Sequence, residues 1–567
     1  MTAGERSGAD ILVACLEAAG ITTLFGVPGD TGVGLYDALA RSPGRVRHVL
    51  ANDERGAAFM ADVYARRTNR VGALEVSSGG GVTFAVGGLG EPFAASVPLL
   101  VITSDISRRS RGTGALTEID QPQLLRAVTK WQGVADGAAE LPELFSETLE
   151  AAVSGRPAPV ALIVPEDVLD ERARVEIAVA QPSLPPRRPG APAEAVGAVA
   201  RSLEGARRPA IVAGGGVHLS GAQAELQGLA ESLGVPVATT VHGKGAISDA
   251  SPWSLGTAGA NGGLDAVNEY LAGADWVLFV GTRANATDTN SFTAPPRSCP
   301  AVSQIDVDPS RAGRNYPGST PLVGDARTVL AQLREAARAE PAAEVRAAVA
   351  RCREAAARQV LPAGGRDGLD PAAVFRTLNQ VAGGGVTVVG DCGTPTPHLA
   401  SSWELEEAGR SLLLARGHGP MGYALPGAVG AALAAPGEAV LAIVTDGSLL
   451  MAAGALECAA REGLPIVYVH LSNGTLGWIK TLQHLYLERR YFSTDLSRFD
   501  AVGVAAALGV ESYRITSLDE LATRVREGLD GGRPRFLDVP IPSEEEALPP
   551  VAPWRKAAEG TKERPVY

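Results

Sequence analysis

Residues 439–480 read AVLAIVTDGSLLMAAGALECAAREGLPIVYVHLSNGTLGWIK. The apolar runs around Val440–Val444 and Ile466–His470 have the length and continuity of strands buried on both faces. A helical stretch separates them, and helix–strand alternation of this kind builds a parallel sheet. Asp446 and Asn473 lie 27 residues apart, each just past the end of one of these strands. Ligands of open α/β sheets bind beyond the carboxyl ends of the strands. A carboxylate and an amide oxygen delivered there, beside glycines, suit a hard divalent cation that holds phosphates. Gly447 permits close backbone approach, and Ser448 offers a hydroxyl and an N–H at a helix N-terminus. A plain strand-to-helix turn with Asp446 as N-cap uses the same residues.

The chain has 567 residues, too many for one core, so several domains are expected. Hydrophobic residues make up 45% and charged residues 20%, the balance of a soluble globular enzyme. A net charge of −12 argues against nucleic acid or an acidic membrane as partner. The five cysteines form no CxxC pair, which suits free thiols in a reducing cytoplasm. The first residues lack the apolar core of a signal peptide. Residues 419–436 are apolar, but Pro426, Pro436 and the glycines among them make a buried loop and helix, not a membrane span.

The alternation recurs in three blocks, so the expected fold class is α/β, with three doubly wound, largely parallel-sheet domains. Residues 1–180 form the first and 190–345 the second, with the Pro-rich run 181–195 as linker. A helical segment from Glu340 to Val360 leads to the third, residues 366–545, and a tail follows over 546–567.

These blocks carry a resemblance. LFGVPGDTGVGLYDAL (24–39), VLANDERGAAFMADVYARR (49–67) and VSSGGGVTFAVGGLGEPFAASVPLLVIT (76–103) stand in order in the first block, and GHGPMGYALPGAVGAALAAP (417–436) precedes the Asp446 turn. With Asp446 and Asn473 they resemble the thiamine-diphosphate-dependent superfamily of the acetolactate synthase and pyruvate decarboxylase type, over residues 8–545. The resemblance implies that thiamine diphosphate and Mg²⁺ are bound, with Asp446, Asn473 and the Thr475 carbonyl holding the metal. Gly393, Thr394, Gly419, Met421, Gly447, Ser448, Asn473 and Thr475 are the implied cofactor contacts. One departure is Thr445, where the family carries Gly before the Asp, and a small backbone adjustment is expected there.

Glu54 opens a helix that is apolar on nearly every face and therefore buried. An isolated Glu there is often just a favourable first-turn charge. By resemblance it is the carboxyl that hydrogen-bonds N1′ of the aminopyrimidine and activates the cofactor, work suited to a buried carboxyl with a raised pKa. Met421 either fills a core gap or, by resemblance, wedges between the two cofactor rings.

The substrate side follows neither family branch fully. Asp30 resembles the catalytic aspartate of simple decarboxylases, although an N-cap uses the same residue. The paired histidines of those enzymes are absent, and their loop glutamate is replaced by Ile479. The Phe-Gln-Glu of acetolactate synthases becomes Leu116-Thr117-Glu118. Candidate pocket residues are Gly29, Asp30, Thr117, His418, Trp478 and Lys480, with a solvated helix face the other reading of Lys480. In the central block, Arg283-Ala284-Asn285-Ala286 replaces the Arg-Phe-Asp-Asp of FAD-binding synthases, which speaks against FAD and leaves a purely structural domain open.

The implied activity is decarboxylation of a 2-keto acid, with carboligation of the activated aldehyde to a second carbonyl. A flavin-linked oxidase, an acyl-CoA lyase and a catalytically silent regulatory or assembly subunit are the alternatives. The resemblance also implies a homodimer or homotetramer with active sites between subunits.

Overall fold

The computed structural model describes residues 4–42, 44–338, 343–358, 368–560 and 564. It contains three six-stranded sheets, parallel throughout, plus a small antiparallel pair of Arg6–Ser7 with Arg172–Ala173. The first sheet runs Arg47–Leu50, Thr23–Gly26, Gly72–Val76, Leu99–Asp105, Val160–Pro165, Trp131–Val134. The central sheet runs Ser254–Thr257, Val237–Thr239, Pro209–Ala213, Trp276–Val280, Ala301–Asp306, Thr320–Val323. The third runs Leu412–Leu414, Thr387–Gly390, Val440–Thr445, Ile466–Ser472, Arg535–Pro540, Glu511–Arg514.

Numbered by chain order within each sheet, the first and third share the order 2-1-3-4-6-5, and the central sheet has 3-2-1-4-5-6. In the first and third, the chain reverses its direction of travel across the sheet between strands one and three. That is the topological switch point, where a crevice opens at the carboxyl ends. Strands such as LLVITSD and VALIVP are buried along their whole length because helices cover both faces. The edge strands RHVL, WQGV and ESYR are only partly buried, so no continuous apolar run marks them in the sequence.

The expected helix in residues 419–436 is Ala424–Ala434, nearly all of it buried. It packs on Glu54–Thr68 from the first domain. The approach requires glycine: a Cβ at Gly430 would lie 2.1 Å from the Met60 carbonyl oxygen. One apolar core, from Phe25 and Phe59 to Val389 and Val444, runs through both domains. Of the helical segment expected over Glu340–Val360, Ala343–Arg358 is α-helix and the rest lies outside the described residues, as do 561–563 and 565–567 of the tail. Among the described residues no helix is long and apolar enough to cross a membrane.

A buried charge network locks this junction. Arg66 donates to both oxygens of Asp62 at 2.9 Å and to Glu91 Oε1 at 3.1 Å, and all three side chains are essentially inaccessible. Tyr423 donates to Asp62 Oδ2 at 2.7 Å. Glu91 accepts from the backbone N–H groups of Gly417, His418 and Gly419 at 2.9, 2.7 and 3.1 Å. A side chain on a helix of the first domain therefore holds the loop 417–419 of the third.

Candidate active site

The residues singled out from sequence fall into two groups, each at the carboxyl end of one outer sheet. The first group follows strands Thr23–Gly26 and Gly72–Val76. Gly29 abuts Ser77 so closely that a Cβ there would lie 2.3 Å from the Ser77 Cβ. Gly81 faces both the Ser77 hydroxyl and Glu54 Oε1, with its virtual Cβ 2.7 and 3.3 Å away. Gly79, at φ 65°, packs on Thr117. Thr117 itself has φ 67°, an uncommon conformation for a β-branched residue, and its carbonyl accepts from Ser78 Oγ at 2.7 Å. Glu54 is thus gathered with Gly29 and Thr117 around Ser77–Gly81.

Asp53 caps the Glu54–Thr68 helix, accepting from the Gly56 N–H at 2.9 Å. Glu54 is therefore free of the capping role. Burial raises its pKa above the ordinary carboxyl value; its own backbone N–H opposes this, and the charges of Asp53 and Glu75 push it further up. Asp30 is exposed, and its carboxylate accepts from the Thr31 N–H at 2.9 Å. The N-cap of its short 3₁₀ turn is Gly29 instead.

The second group lines a cavity of about 310 Å³. Gly393, Thr394, His418, Gly419, Met421, Gly447, Asn473, Thr475 and Trp478 all border it. Asp446 lies just behind: its Oδ2 accepts from the backbone N–H groups of Asn473 and Gly474 at 2.9 and 3.1 Å. That leaves Oδ1, with the Asn473 side chain and the Thr475 turn, as oxygen donors for a hard cation. Among the described residues no cluster of three or more His, Cys, Asp or Glu side chains could hold a metal. The implied set needs none, since it combines one carboxylate, one amide and one carbonyl. A Cβ at Gly447 would lie 2.4 Å from Met421 Cε, so the methionine projects over the glycine turn into the cavity. These residues fit a diphosphate held with a divalent cation.

Four expectations change. The Ser448 hydroxyl does not border the cavity; it accepts from the Gly422 N–H at 3.0 Å and so pins the Gly419–Gly422 turn. Lys480 does not border it either, because its ammonium pairs with Asp495 at 2.8 Å and Glu545 at 2.9 Å. Thr445, not Asp446, is the helix N-cap, at φ −119° and ψ 164°. That extended conformation suits any residue, so the missing family glycine requires no adjustment.

Residues that sequence reasoning passed over include Glu91, His470 and Glu544. His470 is fully buried, with Nδ1 2.9 Å from Asp538 and Nε2 3.6 Å from Asp446 Oδ1. Only a polar residue inside an otherwise apolar strand could have flagged it. Glu544 borders the cavity from the segment after the last strand, where nothing local distinguishes it from Glu545 and Glu546.

Among the described residues, none of the first domain lines this cavity. Glu54, Gly29 and Thr117 thus do not line it with Met421, Asn473 and Thr475, although Arg55 donates to the Met451 carbonyl at 2.7 Å. Around the two groups the chain exposes large apolar side chains: Val33, Phe84 and Leu116 near the first, Leu450, Met451 and Ile479 near the second. A further cavity, where the central domain meets the first, is lined by Gly215, Gly281, Arg283 and Asp306 together with Ser96 and Arg156.

Three family models match the chain. "Thiamine pyrophosphate enzyme, N-terminal TPP binding domain" covers residues 6–124, the corresponding central domain 196–333, and the C-terminal TPP binding domain 391–539. Curated relatives match along nearly the whole length. A probable acetolactate synthase large subunit of Methanocaldococcus jannaschii is 32% identical over 96% of this chain and 93% of its own. The acetolactate synthase isozyme 3 large subunit of Escherichia coli K12 is 30% identical over 96% of each. The acetolactate synthase large subunit of Corynebacterium glutamicum is 31% identical over 97% of this chain and 89% of its own.

Proposed function

Since the chain belongs to the thiamine pyrophosphate enzymes and is of the acetolactate synthase type, we propose that it decarboxylates a 2-keto acid and joins the resulting activated aldehyde to a second carbonyl. The observation that carries this is the cavity at the end of the third sheet, with Asp446 fixed beneath Asn473 and Met421 standing over Gly447. When bound, thiamine diphosphate supplies the nucleophilic carbon and the electron sink. The protein's own residues do the rest. Asp446, Asn473 and the Thr475 carbonyl would hold Mg²⁺, and the Gly393–Thr394 and Gly447 turns would receive the diphosphate. Met421, over the Gly447 turn, would press on the bound cofactor, and Glu54 would hold and return a proton at the pyrimidine. His418 and Trp478, with Gly29 and Thr117, shape the space for substrate, and Asp30 remains a candidate for proton transfer from its exposed position.

Domains follow the bounds 1–180, 190–345 and 366–545, with a tail beyond, and the enzyme works in the cytoplasm. A flavin has no part in this reading; a flavin spectrum from the purified protein would favour the oxidase alternative instead. Incubation with a panel of 2-keto acids, with and without acceptor carbonyls, is expected to yield carboligated products by mass spectrometry. Simple aldehydes alone, under every pairing, would reduce the activity to decarboxylation.

A homo-oligomer completes the site. Glu54 from one copy meets Met421 and Asn473 of another; that Glu54, among the described residues, does not line the cavity supports this, as do the exposed Phe84, Leu116, Leu450 and Met451. Mixing two inactive variants tests it. Glu54→Gln and Asp446→Ala subunits, unfolded and refolded together, are expected to recover about a quarter of wild-type activity, because half the random dimers carry one intact site of two. No recovery from a mixture shown to exchange subunits would place the whole site within one chain.

A further inference from the structure

Glu544 lies in the segment after the last strand of the third sheet, beyond the match to the C-terminal family model. Its carboxylate is buried against the cavity wall at 6% exposure. Thr394 Oγ1 donates to Oε1 at 2.6 Å, and Asn473 Nδ2 donates to Oε2 at 3.0 Å. Thr475 Oγ1 stands 3.4 Å from the same Oε2. The carboxylate thus ties the Thr394 turn, after one strand, to the Asn473–Thr475 turn, after another. It also rests directly on Gly477, where a Cβ would coincide with the Glu544 carboxyl at 1.4 Å from Oε2. Neighbouring Glu545 pairs with Lys480, whereas among the described residues no cationic side chain pairs with Glu544.

Two physical consequences follow. The Glu544 oxygens accept from Thr394 and Asn473, so they select the N–H₂ side of the Asn473 amide and fix which edge carries Oδ1. That oxygen is then held by the Thr475 N–H at 3.1 Å and hydroxyl at 3.0 Å, on the turn whose carbonyl is assigned to the cation. A buried carboxylate without a cationic partner is costly, and a dication arriving a few ångströms away offsets that cost.

We infer that Glu544 is a positioning residue for the metal: it sets the Asn473 amide with its oxygen towards the cation. The inference rests on the assignment of Asp446, Asn473 and Thr475 to Mg²⁺. Partners that orient a metal ligand typically contribute about 10–100-fold to metal affinity.

The test uses the full-length protein and reads binding. Thiamine diphosphate is titrated by calorimetry at a series of Mg²⁺ concentrations, giving a Mg²⁺ midpoint for each variant. Glu544→Gln is expected to raise that midpoint by about 10–100-fold, with the unfolding midpoint of the cofactor-free protein unchanged. Glu545→Gln is expected to leave the Mg²⁺ midpoint at the wild-type value. Should Glu544→Gln fail to fold, Glu544→Asp keeps the charge, withdraws the oxygens by one methylene, and is expected to raise the midpoint too. A folded Glu544 variant with an unchanged or lower Mg²⁺ midpoint overturns the inference. Asp446→Asn separates this from its premise. If Asp446→Asn loses Mg²⁺ dependence while Glu544→Gln retains it unchanged, only the role of Glu544 falls. If Asp446→Asn also behaves as wild type, the metal assignment and the inference fall together.

Discussion

Glu54→Gln lowers turnover by about 10²–10⁴-fold, the range that a positioned general acid or base contributes, while Mg²⁺-dependent binding of thiamine diphosphate survives. Gln keeps the shape and one hydrogen-bonding oxygen of Glu but cannot exchange a proton. The environment of Glu54 is arranged for that exchange. Burial lifts its pKa, the charges of Asp53 and Glu75 lift it further, and only its own backbone N–H opposes them. A carboxyl raised from its usual range is protonated over more of the working pH and can return the proton once taken. Helix capping is left to Asp53, so the substitution does not remove a structural hydrogen bond. Steady-state kinetics beside calorimetric cofactor binding reads both halves of the outcome. Wild-type turnover would remove Glu54 from the chemistry, and loss of cofactor binding with turnover would make it a binding residue.

Glu91→Ala destabilises the folded protein by about 3–5 kcal/mol, the usual result of removing one partner from a buried ion pair. Arg66 would keep Asp62 but lose Glu91, and three backbone N–H groups of residues 417–419 would lose their buried acceptor. Denaturant unfolding measures the loss, and a change within about 1 kcal/mol, the scale of exposed pairs, would show that the network contributes little. The pH dependence has a definite sign. Burial alone would raise the Glu91 pKa, but Arg66, His242 and the backbone N–H groups outweigh it and hold it at about 2, against an ordinary 4.5. Its stabilisation is therefore complete above about pH 4.5 and disappears as pH falls towards 2. In Glu91→Ala that part of the acid sensitivity is absent.

Much of the fold is legible in the sequence because buried parallel strands are written as continuous apolar runs. Val440–Thr445, Ile466–Ser472 and Leu99–Asp105 stand where those runs stand. The edge strands Arg47–Leu50, Trp131–Val134 and Glu511–Arg514 escape notice because one side of each meets solvent or the end of a sheet. The proposed site residues are legible where they sit on turns after strands, as Gly29, Gly393, Asp446 and Asn473 do. Lys480 misleads because its sequence neighbourhood suggests a free cation near the cavity, while Asp495 and Glu545 claim it from other segments.

The sequence by itself therefore determined the sheet class, through strand-length apolar runs, and the turns after the strands, through local spacing and glycines. The family was legible through the resemblance of its ordered motifs. Only the tertiary structure decided that Glu91 clasps the loop 326 residues away and that Glu544 reaches Thr394 across 150. It likewise decided that, among the described residues, Glu54 does not line the cavity that Asn473 borders. The physical reason is that side-chain hydrogen bonds and burial are set by which strand ends are brought side by side. Sheet order controls that, and sheet order leaves no local mark on the residues that meet.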